Sequence, residues 1–495
     1  MTAPTRLQAL AQRAMQARDL WPEFSAAALQ EAAALQPLPP DRVTLPGSRP
    51  PTSVALRDLR HLAWCSIDND DSRDLDQLSV TVPGSGGAVR ILVAIANVAA
   101  LFGRSSAIDA HAAHNTTSVY TAAQVFSMLP EHLSTDVSVL AAGGERSAIV
   151  VELEIDTSGS VRASELYPAC VINQAKLAYD SVAAWLEGRQ PPPAAVSAVS
   201  GLDEQLRVQD RLAQSLLQVR HAQGALTLQT LETRVILDAG TPRELRVEQP
   251  NRAKSLIEEF MIAANTATAE FLTRHGYPSV RRVLLPPERW DRIVELAAAL
   301  HESLPAEPDA AALNAFLVKR RAAEPARFAD LSLSVIKLLG RGQYVVDAPG
   351  GSVSGHFGLA VSDYMHSTAP NRRFPDLLTQ RLVLAAIAGV PAPYSLQELQ
   401  QLAAHCTVQE DNADKVERQV AKSAAAMLLS THIGQLFQGM VTGASAKGTW
   451  IRLTAPPVEG RIVQGYEGLD VGDQAQVRLT HTDVERGFID FARVK

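Results

Sequence analysis

Cysteine is scarce in this chain. Of 495 residues only Cys65, Cys170 and Cys406 are cysteines, an odd and widely spaced set. That excludes a disulfide framework and supplies no metal-ligand spacing, so a reducing, cytoplasmic setting is expected. Long hydrophobic runs are missing too. No stretch approaches the roughly 18 apolar residues of a spanning helix, so no membrane partner is expected. The N-terminal MTAPTRLQALAQRAMQARDL lacks the apolar centre of a secretory signal. Positive charge is not in excess either, since the net charge is −7. This leaves a nucleic-acid substrate open, because a channel lined with Arg and Lys can sit inside an acidic protein.

What remains is an ordinary globular balance, 46% hydrophobic and 20% charged, in a chain long enough for about three domains. Residues 1–36 carry helical spacing at Leu7, Leu10, Ala14 and Ala17. After a break at Trp21-Pro22, the spacing resumes at Ala28, Leu29, Ala32 and Leu35 behind a candidate N-cap, Ser25. They read either as a helix-turn-helix module or as a packing cap, followed by a Pro-rich linker, PLPPDRVTLPGSRPP. Residues 57–437 mix strand-like runs (Val89–Val98, Ala148–Asp156, Arg234–Gly240) with helical stretches (Asn251–Arg274, 375–390, 408–437). The order lacks βαβ alternation, so the fold class is α+β with a large mixed catalytic domain. Residues 438–495 hold five short strand runs between turn signals, which suits an OB-type barrel. Trp450, Tyr466 and Phe488 could stack bases there or fill the core.

The densest chemistry lies in WCSIDNDDSRDLDQLSV, Trp64–Val80. Asp68, Asp70, Asp71, Asp74 and Asp76 are five carboxylates within nine residues. Crowded carboxylates repel unless a cation neutralises them, and oxygen ligands suit Mg²⁺ or Mn²⁺. A solvated acidic turn or a calcium loop remains open on composition, although the Gly and terminal Glu of an EF-hand are lacking.

The spacing Asp68, Asp74, Asp76 resembles the signature of the ribonuclease II / ribonuclease R family, the RNB catalytic domain. The resemblance extends through Val93–Tyr120, Phe126–Leu140, Ile257–Leu272, His356–Leu382 (containing APNRRFPDL), Val416–Ala425 and the final strands, covering roughly residues 57–495. It implies an Mg-dependent, two-metal hydrolase that degrades single-stranded RNA processively from its 3′ end to 5′-monophosphates. Structured RNA with a 3′ overhang is an added candidate substrate, and a monomer is expected. By the same resemblance Asp76, Asp74, Asp68 and Arg372 are catalytic, and Asp68, Asp74, Asp76 and Gln77 are the metal set. Tyr120, Glu259, Tyr364, Arg373 and Glu417 would contact RNA. The family's fourth aspartate is Gln77 here, which removes a charge from the second metal position. Asp70 or Asp71 would compensate if the loop turned them inward. A second stacking aromatic of the family falls near Leu228. Only about 55 residues precede the motif region and they read helical, so the family's cold-shock barrels are expected to be replaced by a small helical unit. Two alternatives stand beside this reading: a catalytically impaired RNA-binding protein on the same fold, and a hydrolase of another phosphodiester.

Overall fold

The computed structural model describes residues 5–48, 50–229, 232–238, 240–248, 250–325, 327–351, 355–445 and 448–494. Its centre is a seven-stranded mixed sheet of β1 (Arg57–Asp58), β2 (Cys65–Asp68), β3 (Gln77–Pro83), β4 (Val89–Ala96), β5 (Glu145–Ile155), β6 (Val161–Ile172) and β7 (Ala175–Ala178). The spatial order is β7-β2-β3-β4-β5-β6-β1. Pairs β7–β2 and β6–β1 run parallel and the others antiparallel. Strand β4 lies mid-sheet, and from Ile91 to Ala96 it is buried on both faces. This explains its unbroken apolar run.

Helices are numbered α1 (Arg6–Gln16), α2 (Ala26–Ala34), α3 (Leu202–Ala222), α4 (Arg252–Arg274), α5 (Phe374–Ala388) and α6 (Leu396–Leu429). Helix α4, capped by the Asn251 side chain, lies across β2, β5 and β6 and buries Leu256, Phe260, Ala264 and Ala267. Helix α6 begins well before the expected residue 408. Ser395 and Glu398 form a capping box that starts it, and positive-φ Gly434 lies in the turn between it and the next strand. It packs against α1, against the strand Thr241–Glu248 and against the C-terminal strands, so it acts as a spine between the two ends of the chain.

The N-terminal helices form where the spacing predicts, with Thr5 and Ser25 as N-caps. Both are spent on packing. Leu7, Leu10, Ala14 and Met15 of α1 bury against Val416, Val420 and Ala424 of α6, while Ala28 and Ala32 of α2 join the main core. This favours the packing cap over a separate binding module. Leu29 stays half exposed. The Pro-rich stretch is more than a linker: Arg42–Thr44 pairs with Ser53–Ala55, and Val43 is fully buried. The C-terminal strands β8 (Leu436–Ser445), β9 (Gly448–Leu453), β10 (Glu459–Gln464), β11 (Gln474–Asp483) and β12 (Phe488–Arg493) close into a barrel in the order β8-β9-β10-β12-β11. Val441, Ile451, Ile462, Leu479 and Phe491 fill it. Tyr466 and Phe488 stand largely in solvent, and Trp450 is half-buried over Gly443. Among the described residues no helix is long and apolar enough to cross a membrane.

Candidate active site

The aspartate segment is the connection between β2 and β3. Those strands pair through Cys65 and Ser79, so Asp68 and Gln77 emerge side by side at one end of the sheet and residues 69–76 form the lip between them. The lip is held from outside. Lys176 on β7 donates to the carbonyl oxygens of Asp70 (3.3 Å) and Ser72 (2.8 Å). Asp71 pairs with Arg234, and Asp70 is solvent-exposed. Neither lines the pocket, so the structure does not turn them inward to replace the charge lost at Gln77.

A pocket of about 380 Å³ opens at this sheet end, walled by Asp68, Asp74, Asp76, Gln77, Tyr120 and Arg372 together with Asn69, Ser72, Tyr179, Ile257, Met261 and Thr368. In each aspartate one oxygen is already engaged. Asp68 Oδ1 accepts from the Asn69 amide (2.7 Å) and the Ser72 hydroxyl (2.9 Å). Asp74 Oδ2 accepts from the Tyr120 hydroxyl at 3.0 Å. Asp76 Oδ1 accepts from Asn371, through both its backbone N (3.2 Å) and Nδ2 (2.8 Å). Asp76 is only 2% exposed, and its Oδ2 is buried without a hydrogen-bond partner. Arg372 Nε lies 3.7 Å from that oxygen. Burial pushes the Asp76 carboxyl up to about 7 against the pull of Arg372. Burial raises Asp68 too. The hydroxyl end of Tyr120 is pushed above the ordinary phenol range by burial and by the Asp74 charge.

Arg372 and Arg373 are adjacent but differently used. They lie in the turn entering α5, whose backbone is fixed by Ser118 N donating to Arg372 O (2.9 Å) and Phe374 N to Thr116 O (2.8 Å). Arg372 is 44% exposed and faces the pocket. Arg373 pairs with Asp376 at 2.7 Å, the ordinary ion pair of a helix start.

The other expected RNA contacts scatter. Tyr120 stands on the rim, 43% exposed, with its backbone N donating to Glu417 Oε1 at 2.7 Å. Glu417 therefore supports Tyr120 from α6. Glu259 is 2% exposed and gives both oxygens to Arg220 of α3, so it is not free to meet RNA here. Tyr364 is half-buried between the rings of His356 and His366 and does not line the pocket. Leu228 packs into a satellite apolar cluster with Trp290, Leu313 and Phe328, so no aromatic ring stands at that position. Sequence reasoning missed Tyr179 on the wall and Asn371 behind it. Asn371 sits within the quoted APNRRFPDL, where the arginines drew attention, and only its contact with Asp76 sets it apart.

Three carboxylates and one amide suit a hard divalent cation, and the unpartnered buried Asp76 Oδ2 is the kind of atom such an ion satisfies. Among the described residues no three His, Cys, Asp or Glu already converge closely enough to hold one.

Residues 56–389 match the RNB domain, and residues 435–494 match the RNase II-type exonuclease C-terminal S1 domain. Ribonuclease R of Escherichia coli is 28% identical over 479 residues, covering 88% of this chain and 57% of its own. The chain thus spans little more than half the length of that relative. Mycoplasma genitalium RNase R, solved with ribose-methylated single-stranded RNA, superposes with a TM-score of 0.86 at 22% identity, over 98% of this chain and 77% of its own. Yeast Ssd1, a pseudonuclease, shares the fold at a TM-score of 0.72 and 16% identity, over 95% and 57%. By the match over most of its length, this chain belongs to the RNB domain family and carries an RNase II-type S1 barrel at its C-terminal end.

Proposed function

We propose that the protein is a metal-dependent exoribonuclease that shortens single-stranded RNA from the 3′ end, releasing 5′-monophosphates. The observation that carries this is one pocket bringing Asp68, Asp74 and Asp76 together with Arg372 and a rim aromatic, Tyr120. Asp68, Asp74, Asp76 and Gln77 would hold Mg²⁺, with Mn²⁺ as the alternative. A bound divalent ion supplies an activated water and polarises the phosphoryl oxygen. Arg372 would clamp the scissile phosphate and offset the charge that grows in the transition state. Tyr120 would stack on a terminal base without reading it, which suits degradation of any sequence. Asp76 Oδ2, buried and unpaired, would be the oxygen this carboxylate offers to the divalent ion. The three cysteines are free and buried, which fits the reducing cytoplasm.

A second reading, an RNA-binding protein without cleavage, draws on Gln77, which brings an amide where a carboxylate would add charge. Labelled oligo(A) incubated with Mg²⁺ separates the two. A ladder shortening from the 3′ end, lost in Asp76→Asn, supports the nuclease. Retained binding with no ladder in either protein supports the second reading. A hairpin with a short 3′ overhang in the same assay reports whether structured RNA is a substrate.

A further inference from the structure

We propose that Asn371 is a positioning residue that decides which oxygen of Asp76 is presented to the divalent cation of the pocket. The inference rests on the nuclease reading above and adds to it a part for a side chain that touches no substrate. Asp76 is fixed at its backbone, where its carbonyl accepts from Ala96 N at 2.9 Å. That leaves its carboxyl free to rotate unless something holds it. Asn371 holds it, with two donors converging on Oδ1 at 3.2 and 2.8 Å, so Oδ2 alone remains with open lone pairs.

The orientation of the Asn371 amide follows from electrostatics. Its NH₂ toward the carboxylate attracts, whereas its oxygen there would repel. On the far side its Oδ1 accepts from the hydroxyl of the buried Ser138, whose single proton is shared between this oxygen and Leu133 O, 2.7 Å away. Asn371 is 1% exposed, so no water competes for these bonds. The turn around it is constrained as well, because Ala369 N donates to Asp376 Oδ1 at 2.8 Å and Arg372 N to Ala369 O at 3.2 Å.

The next residue completes the device. Asn371 points inward and takes Oδ1, while Arg372 points into the pocket and stands 3.7 Å from Oδ2. One turn at the start of α5 therefore sets both the orientation of the carboxylate and the place of the phosphate-facing cation. Loosening residue 371 would leave Arg372 able to bind RNA but free the carboxylate to swing.

The test compares wild type, Asn371→Leu and Ser138→Ala in single-turnover cleavage of labelled oligo(A), in RNA affinity measured without divalent ions, and in Mn²⁺ binding followed by electron paramagnetic resonance without RNA. Asn371→Leu is expected to slow cleavage about 10–100-fold and to weaken Mn²⁺ binding while RNA affinity stays unchanged. Ser138→Ala should move the same two quantities the same way by less. Wild-type cleavage and Mn²⁺ affinity in both variants would overturn the inference. So would a parallel loss of RNA affinity, which marks a general structural role. If Asn371→Leu does not fold, Ser138→Ala decides alone. If wild type itself does not cleave, the nuclease reading falls, and the Mn²⁺ titration still judges the positioning of Asp76 by itself.

Discussion

Two buried carboxylates, one at the end of the sheet and one on helix α4, look alike by exposure and differ in everything else. Asp76 and Glu259 are each 2% exposed. Glu259 is closed off, with both oxygens on the Arg220 guanidinium, itself 12% exposed. Asp76 has one oxygen tied by a neutral amide, the other bare, and its nearest guanidinium stands off at 3.7 Å. A buried charge that is fully paired holds two elements together, here α3 to α4. A buried charge left half-paired costs stability and is retained where chemistry needs it. Burial of an acidic residue is therefore not the sign of a site; its incomplete compensation is.

Exchanging each acid for its amide is the strongest way to break this comparison. Asp76→Asn should lower cleavage about 10³-fold or more, with thermal stability equal to or above wild type, because an uncompensated buried charge is removed. Glu259→Gln should do the reverse, costing about 3 kcal/mol in denaturant unfolding while folded protein still cleaves. If Glu259→Gln abolished cleavage at full stability, the pairing criterion would fail. The adjacent arginines offer the same contrast at smaller amplitude. Arg372→Ala should lower the cleavage rate about 10²–10³-fold with little change in unfolding, whereas Arg373→Ala, which unpairs the buried Asp376, should act mainly on stability.

The half-paired state also has a pH signature. Asp76 is pushed up to about 7 from an ordinary 3.8. Between those values the folded protein keeps a proton that the unfolded chain has released, so stability falls as pH rises through the interval and levels off above about 7. In chelated protein the difference in unfolding free energy between wild type and Asp76→Asn should grow with pH across this window, and Mg²⁺ at pH 7 should shrink it. A difference independent of pH would contradict the half-paired description.

How much of this could be read from residues alone follows from the same distinction. The carboxylate spacing and APNRRFPDL stood out through their resemblance to the RNB motifs, and the fold brings Asp68, Asp74, Asp76 and Arg372 to one pocket. The barrel was legible because alternation and turn residues are local signals. Glu259 misled because its partner Arg220 lies 39 residues away on another helix, a pairing no local pattern encodes. Asn371 was passed over for a related reason: its significance is a contact with Asp76, 295 positions earlier. The start of α6 was misplaced although its capping box is a local motif and Leu399, Ala403, Cys406 and Gln409 keep helical spacing behind it, so this signal was present in the residues and passed over. The paired strands Arg42–Thr44 and Ser53–Ala55 were hidden by the prolines between them, which mark an extended turn as readily as a linker.

Tyr120 brings the comparison to the rim. Its ring is partly exposed and its hydroxyl bonds Asp74, so two functions sit in one side chain. Tyr120→Leu should weaken RNA binding by about 1–3 kcal/mol, through lost stacking. Tyr120→Phe keeps the ring, so binding should hold while cleavage declines modestly, by the roughly 1 kcal/mol of one hydrogen bond. Equal losses in both variants would mean that the hydroxyl, not the ring, carries the RNA contact.

Glu485 supplies the remaining case, a carboxylate that is paired but not buried. It receives Arg6 at 3.3 Å and Arg13 at 2.6 Å from α1, linking the N-terminal helix to the barrel, and all three side chains are about half or more exposed. In high dielectric such pairs gain little and lose more to salt, so Glu485→Gln should shift unfolding by less than about 1 kcal/mol, and less still in high salt. The seam between α1 and α6 is held instead by Leu7, Leu10 and Met15, whose burial does not depend on ionic strength. A salt-sensitive loss of several kcal/mol in Glu485→Gln would show that pairing matters even without burial, and the distinction between Asp76 and Glu259 would then have to rest on geometry alone.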